Sequence, residues 1–174
     1  MEQRNIIRLE ETPSTNDYLL ALIGKQPVPD GTIVIAWRQT AGRGADGSAW
    51  ESEAGKNLTF SMLIHPDYIS VGLQFYLNKA VSFGALDVVR KYTGNGASVK
   101  WPNDIYIGNS KVAGILIQNG IQGNKFSYCV AGVGLNVNQE TFSGDSPNPL
   151  SLKHLTGTDL DLDSLLNEVY SAIT

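Results

Sequence analysis

The sequence contains one cysteine and two histidines. A lone thiol, Cys129, closes no internal disulfide, and its place inside an apolar run reads as an inert buried group. Neither His65 nor His154 stands at metal-ligand spacing from a second candidate ligand, and CxxC and HExxH strings are missing. Zinc chemistry and a Ser–His–Asp triad are therefore unsupported. No apolar run approaches the about 20 residues a membrane span needs. The N-terminal MEQRNIIRLEE is too polar for a cleaved leader. These absences predict a soluble, cytoplasmic protein that does not engage a membrane. Basic residues are not in excess either: 13 Lys and Arg face 17 Asp and Glu, a net charge of −4. That balance argues against a non-specific nucleic-acid binder.

What the chain has in quantity is glycine, 18 residues among 174. With 42% hydrophobic and 17% charged residues, one globular domain with a substantial core is the simplest organisation. Three glycines concentrate in residues 39–50, QTAGRGADGSAW, where Gly42, Gly44 and Gly47 surround Arg43 and the stretch closes on Trp50. Glycines let backbone amides approach a ligand with no Cβ in the way, and successive amides beside a guanidinium suit an anion, most often a phosphate. The stretch follows an apolar run, residues 32–37, that reads as a strand, but it opens no helix, so the dinucleotide-binding fingerprint does not apply. In isolation such a string is more often a plain surface loop. The rest of the chain decides between the two readings.

Residues 5–9 read as a first strand, stopped by Pro13. Ser14 followed three residues later by Asp17 has capping-box spacing, and Tyr18, Leu19, Leu22 and Ile23 then recur at helical spacing up to Gly24. Ser14, Thr15 and Asn16 thus sit at a helix N-terminus, as caps or as ligand contacts. Residues 57–64 read as a strand. The spacing predicts a helix over 71–92 with Leu73, Tyr76, Leu77, Ala80, Val81, Ala85, Val88 and Val89 on one apolar face. Short strands follow at 98–101, 105–107, 112–118 and 126–133, with turns at Gly108-Asn109 and near 120–124, which makes the last three antiparallel neighbours. A helical turn at 151–155 and a final helix capped by Asp161 or Asp163 complete an α+β pattern, a mostly antiparallel sheet with helices packed on it.

A second polar constellation lies among these strands. Lys100-Trp101-Pro102-Asn103-Asp104 precedes Lys111, and the two lysines flank a hairpin, so both are expected to approach one spot. Two lysines and an arginine near a glycine loop suit a compact polyanion such as a nucleotide polyphosphate. Asn103 and Asp104 fit a ribose, a base edge or Mg²⁺, or else a simple Asx turn. Gly132 and Gly134 interrupt a strand that ends on Asn136, which marks a close approach of ligand or backbone.

Taken in order, STN before a helix, QTAGRG…G..W, KWPND, KVAGIL and GVGLNVN resemble the catalytic domain of biotin protein ligases, over nearly the whole chain. Each string is weak alone, and five in order are specific. The resemblance implies the mixed sheet and flanking helices shared with class II aminoacyl-tRNA synthetases. It implies ATP-dependent activation of biotin to biotinyl-5′-AMP, then transfer to a lysine of a biotin carboxyl carrier domain, with Mg²⁺ accompanying ATP and no nucleic-acid partner. By the resemblance, Ser14, Thr15, Asn16, Gln39, Gly42, Arg43, Gly44, Ala45, Lys111, Gly114 and Ile115, with Leu116 nearby, serve biotin. Arg43, Trp50, Lys100, Asn103, Asp104, Lys111 and Asn136 serve ATP, and Lys111 and Arg43 act in catalysis. No residue is assigned as a dedicated metal ligand, and a homodimer through sheet edges is left open.

The chain departs from the family pattern in two places. Where many bacterial members carry a basic side chain in a GRGR-type loop, this loop has Ala45 followed by Asp46. One phosphate contact is missing there, so loose retention of the adenylate and less selective lysine labelling are expected. The chain also reads as a single catalytic domain over 1–174, with neither an N-terminal DNA-binding domain nor a C-terminal β-barrel. Two further readings are a lipoate–protein ligase and a biotin-binding protein with impaired turnover.

Overall fold

In the computed structural model the described residues are 4–143 and 148–174, with the side chain of Asp46 outside the description. Seven strands form one sheet: β1 (Ile6–Thr12), β2 (Ile33–Gln39), β3 (Leu58–Ile64), β4 (Ala97–Lys100), β5 (Asp104–Ile107), β6 (Ser110–Gln122) and β7 (Lys125–Leu135). Their spatial order is β1-β2-β3-β7-β6-β5-β4. β1 runs parallel to β2, because α1 (Thr15–Ile23) crosses between them, and the other neighbouring pairs are antiparallel. The hairpin expected at Gly108-Asn109 joins β5 to β6, with Gly108 at a φ of 56° that favours glycine.

Side chains alternate across a strand, so each strand serves two layers. One face carries Ile33, Ile35, Phe60, Met62, Ala113, Ile115, Ala131 and Val133. Helix α2 (Phe75–Thr93) covers it with Val81, Ala85, Val88 and Val89, and α4 (Leu162–Ile173) adds Leu165, Leu166 and Val169. On the opposite face Val34, Leu63 and Val130 pack beneath Leu19 of α1. Farther along that second face the residues turn small and polar: Thr59 and Ser61 on β3 stand opposite Gly134 and Gly132 on β7.

The long helix differs from the sequence reading. A separate 3₁₀ turn covers Val71–Leu73, and the α-helix begins only at Phe75. Leu73 and Tyr76 are consequently exposed, 49% and 56%, as is Ala80. The inward stripe is Leu77, Val81, Ala85, Val88 and Val89, and the expected face was too wide by Leu73, Tyr76 and Ala80. Strands β6 and β7 run farther than expected at the polar end of their hairpin, since Gly123 supplies the turn at a φ of 62°.

Caps fix the short helices. Ser14 Oγ accepts from the Asp17 amide at 3.4 Å, and Asp161 Oδ1 accepts from the Ser164 amide at 2.8 Å. Ser151 and His154 form a reciprocal capping box at the start of α3 (Leu152–Thr156), which ends on left-handed Gly157. Cys129 is fully buried, and burial pushes its thiol up to about 12, consistent with an inert group. No described helix is long and apolar enough to cross a membrane.

A hydrogen bond ties α2 to α4: Tyr92 OH donates to Glu168 Oε1 at 2.7 Å. Its charged acceptor pushes the Tyr92 phenol up to about 12, and the same bond lowers the Glu168 carboxyl. The raised phenol stabilises the fold fully below the unfolded tyrosine value of about 10 and loses that contribution as pH rises toward 12. The lowered carboxyl loses its contribution as pH falls through its folded value. Urea unfolding of Tyr92→Phe is expected to show a loss of about 1–2 kcal/mol near neutrality, shrinking above pH 10. A difference that grows above pH 10 would contradict this assignment.

Candidate active site

The site begins with three glycines on the second face of the sheet. Gly114 of β6 pairs directly with Gly134 of β7, and Gly132 lies two residues along. With no side chains there, the backbone is bare, and two large polar groups lie on it. A Cβ on Gly132 would collide with the Asn16 amide, and a Cβ on Gly134 would collide with the Trp50 indole. Gly114 lies beneath the Trp50 ring edge and the Lys111 side chain. The remaining space is a cavity of about 730 Å³, of a size suited to a small ligand or cofactor.

The glycine loop forms one wall. Its residues 43 and 49 form an isolated bridge around a 3₁₀ turn, Ala45–Gly47, and the Trp50 amide donates to the Gly42 carbonyl at 2.9 Å. Gly42 faces the Trp50 carbonyl so closely that a Cβ would strike it. The loop therefore folds back on itself and delivers Trp50 to the sheet floor. Across from it, β6 presents Lys111 and the α1 N-terminus presents Ser14, Thr15 and Asn16.

Both cations of the cavity already carry a carboxylate. Lys111 Nζ lies 2.7 Å from Asp104 Oδ2, with both side chains mostly buried. Arg43 Nη1 lies 2.8 Å from Asp17 Oδ1 at a more exposed position. An incoming anion must exchange with, or share, these partners. Two polar atoms in the walls, Trp50 Nε1 and Asn136 Oδ1, are buried with no protein partner. A buried polar group without a partner is costly, so both suit a site that a polar ligand completes. Among the described residues no group of His, Cys, Asp and Glu side chains is placed to hold a metal.

The structure gathers most of the residues singled out above. Ser14, Thr15, Asn16, Gln39, Gly42, Arg43, Gly44, Ala45, Trp50, Asp104, Lys111, Gly114, Ile115 and Asn136 all line this cavity. Ile115 is also part of the opposite core, so alternation leaves Gly114 and Leu116 to serve the site face. Lys100 and Asn103 lie outside the wall. Lys100 sits on edge strand β4, opposite Asp104, with its ammonium 4.7 Å from the Tyr106 ring centroid. Asn103 is buried and its Nδ2 donates to the Ile115 carbonyl, while its Oδ1 has no partner. The Asp46 side chain, expected near the phosphate, lies outside the described residues.

Several residues escaped the sequence reading. Phe142 and Glu51 line the cavity, and Glu51 Oε1 accepts from the Ser143 amide at 2.9 Å. Behind the wall, Ser61 lies 2.7 Å from Thr15 Oγ1 and 2.5 Å from Asn16 Oδ1. Asn16 Nδ2 in turn donates to Gln118 Oε1 at 2.8 Å. A signal existed for Ser61: in LTFSMLI, Thr59 and Ser61 alternate as small polar residues in a strand otherwise apolar and buried. Gln118 carried none.

Comparison with known proteins agrees with this geometry. The family model described as biotin/lipoate A/B protein ligase family matches residues 9–136. The bifunctional ligase/repressor BirA of Bacillus spizizenii is 31% identical over 146 residues, 81% of this chain and 44% of that protein. The biotin–[acetyl-CoA-carboxylase] ligase of Mycobacterium tuberculosis is 33% identical over 87% of this chain and 56% of its own length. This chain thus spans roughly half the length of these curated relatives. The structure of the Aquifex aeolicus biotin protein ligase in complex with biotin and ATP superposes with a TM-score of 0.80 at 31% identity, covering 98% of this chain and 69% of that one.

The bare floor is directly testable. Gly134→Ala is expected to displace the Trp50 indole and change the near-ultraviolet circular dichroism, leaving the far-ultraviolet spectrum intact. An unchanged near-ultraviolet spectrum would contradict the contact.

Proposed function

This chain belongs to the biotin/lipoate A/B protein ligase family, and on that premise we propose that it is an ATP-dependent biotin protein ligase. It activates biotin as biotinyl-5′-AMP and passes the biotinyl group to a lysine of a biotin carboxyl carrier domain. The observation that carries the reading is one cavity lined by two cations, Arg43 and Lys111, above a glycine floor, with Thr15 and Gln39 at its polar α1 end. The first step brings a carboxylate against a polyphosphate, so positive charge and amides are needed where negative charge gathers.

In this reading the head of biotin lies against Thr15 and Gln39, and its carboxylate reaches Lys111. Lys111 leaves Asp104 to bridge that carboxylate and the α-phosphate, holding the two anions in line for attack. The carboxylate oxygen bonds to the α-phosphorus and pyrophosphate departs. Arg43 and the loop amides of Gly42 and Gly44 take the phosphate charge. Trp50 Nε1 and Asn136 Oδ1 gain partners from the nucleotide. Mg²⁺ bound with ATP would offset charge on the pyrophosphate, and Asp104, a carboxylate of the cavity wall, would help to hold it. In the second step the acceptor amine attacks the mixed anhydride, an amide bond forms, and AMP leaves. The compartment proposed is the cytoplasm, and residues 1–174 are read as one catalytic domain, since the described strands join in a single sheet.

Ala45 lines the cavity, and its methyl offers the phosphate no contact. One charge-assisted hydrogen bond is worth about 1.5–3 kcal/mol, so Ala45→Arg is expected to slow release of biotinyl-AMP by about tenfold to a hundredfold. Equal release rates would refute that role.

Biotin-dependent pyrophosphate release tests the proposal. The chain is expected to release pyrophosphate only with biotin present, and Lys111→Ala to lose at least about a hundredfold in rate, the scale of one lost electrostatic stabiliser. Biotin binding without pyrophosphate release would instead favour a binding protein that has lost turnover.

A further inference from the structure

A chain of hydrogen bonds behind the α1 wall fixes which way each polar group points. Asn16 Nδ2 faces the Leu116 carbonyl at 3.3 Å and Gln118 Oε1 at 2.8 Å, and the backbone carbonyl, which can only accept, holds the Asn16 amide this way round. Asn16 Oδ1 therefore faces Ser61 as an acceptor, 2.5 Å away, and takes the single Ser61 hydroxyl proton. Ser61 Oγ has no proton left for its 2.7 Å contact with Thr15 Oγ1, so Thr15 donates its own proton inward to Ser61. At the other end the Thr15 amide donates to Gln39 Oε1 at 2.8 Å, which fixes the Gln39 amide the opposite way and leaves Nε2 free to donate. The longer 3.1 Å contact between Thr15 Oγ1 and Gln39 Oε1 carries no proton in this arrangement. Three oxygen–oxygen contacts share two hydroxyl protons, and the two shorter ones take them.

We propose that Ser61 and Gln118, neither of which lines the cavity, are positioning residues that make Thr15 a hydrogen-bond acceptor and so select a ligand head carrying N–H donors. Released from Ser61, the Thr15 proton can turn to Gln39 Oε1, 3.1 Å away, or into the cavity, where Thr15 becomes a second donor beside Gln39 Nε2 and favours a head of acceptors. The relay instead presents one acceptor and one donor side by side, the complement of a cyclic urea. Ser61 is fully buried and Thr15 and Asn16 are nearly so, so the relay is held within the protein wall. The inference rests on the biotin reading given above.

The test is calorimetric titration with two ligands: biotin, and its cyclic carbonate counterpart in which both ureido nitrogens are oxygens. The unaltered chain is expected to favour biotin by about tenfold or more, the scale of one hydrogen bond. Ser61→Ala frees the Thr15 hydroxyl to turn, so biotin affinity is expected to fall about tenfold while carbonate affinity holds or rises. Gln118→Leu is expected to shift the ratio in the same direction, and Gln118→Glu, which keeps the acceptor, to restore it. This second pair carries the test if Ser61→Ala does not fold. Equal losses for both ligands, or an unchanged ratio, overturn the relay and leave the biotin reading standing. A chain that binds neither ligand overturns the biotin reading and the relay with it.

Discussion

The site depends on one steric condition, the absence of side chains at Gly132 and Gly134 on the central strand β7. Asn16 and Trp50 arrive from distant parts of the chain and lie directly on that backbone. With any larger residue there, the α1 N-terminus and the end of the glycine loop could not approach the sheet together. The same two glycines are flanked by β3 and β6, so the floor is held rigidly by hydrogen bonds on both sides. The covered face of the sheet supplies the stability, and the bare face supplies the room.

Electrostatics adds a second layer to this scaffold. Each cation lining the cavity has its own carboxylate, Lys111 with Asp104 and Arg43 with Asp17. The Asp104 carboxylate beside Lys111 offsets the cost of holding an ammonium at a mostly buried position. It also makes ligand binding an exchange of anions rather than a simple capture. The more exposed Arg43 pair contributes little to stability, and it ties the loop to α1.

Much of this arrangement was legible in the residues. The cap at Ser14, the Gly108-Asn109 hairpin and the strand glycines each have a local cause and were found where expected. The sheet order was not legible, because adjacency of β3 and β7 is a long-range pairing that no local pattern encodes. That Lys100 lies on an edge strand was not legible either, because sequence proximity to a hairpin says nothing about which strand is the edge. Ser61 and Gln118 act through Asn16 and Thr15 rather than on a ligand, so their role exists only once α1 is docked on the sheet. The resemblance to biotin protein ligases supplied the chemistry, and the agreement of fold with the Aquifex aeolicus enzyme supports the same architecture across 98% of this chain.

The family joins biotin and lipoate ligases, and the two cofactors differ at their heads: a cyclic urea with paired donors and an acceptor, or a dithiolane with neither. In the proposed function that head would meet Thr15 and Gln39, both polar residues of the cavity wall. Titration of the chain with biotin and with lipoate, at equal concentration and without ATP, tests this most directly. Biotin is expected to bind at least about tenfold more tightly, the contribution of one satisfied hydrogen bond. Equal or tighter binding of lipoate would contradict the account.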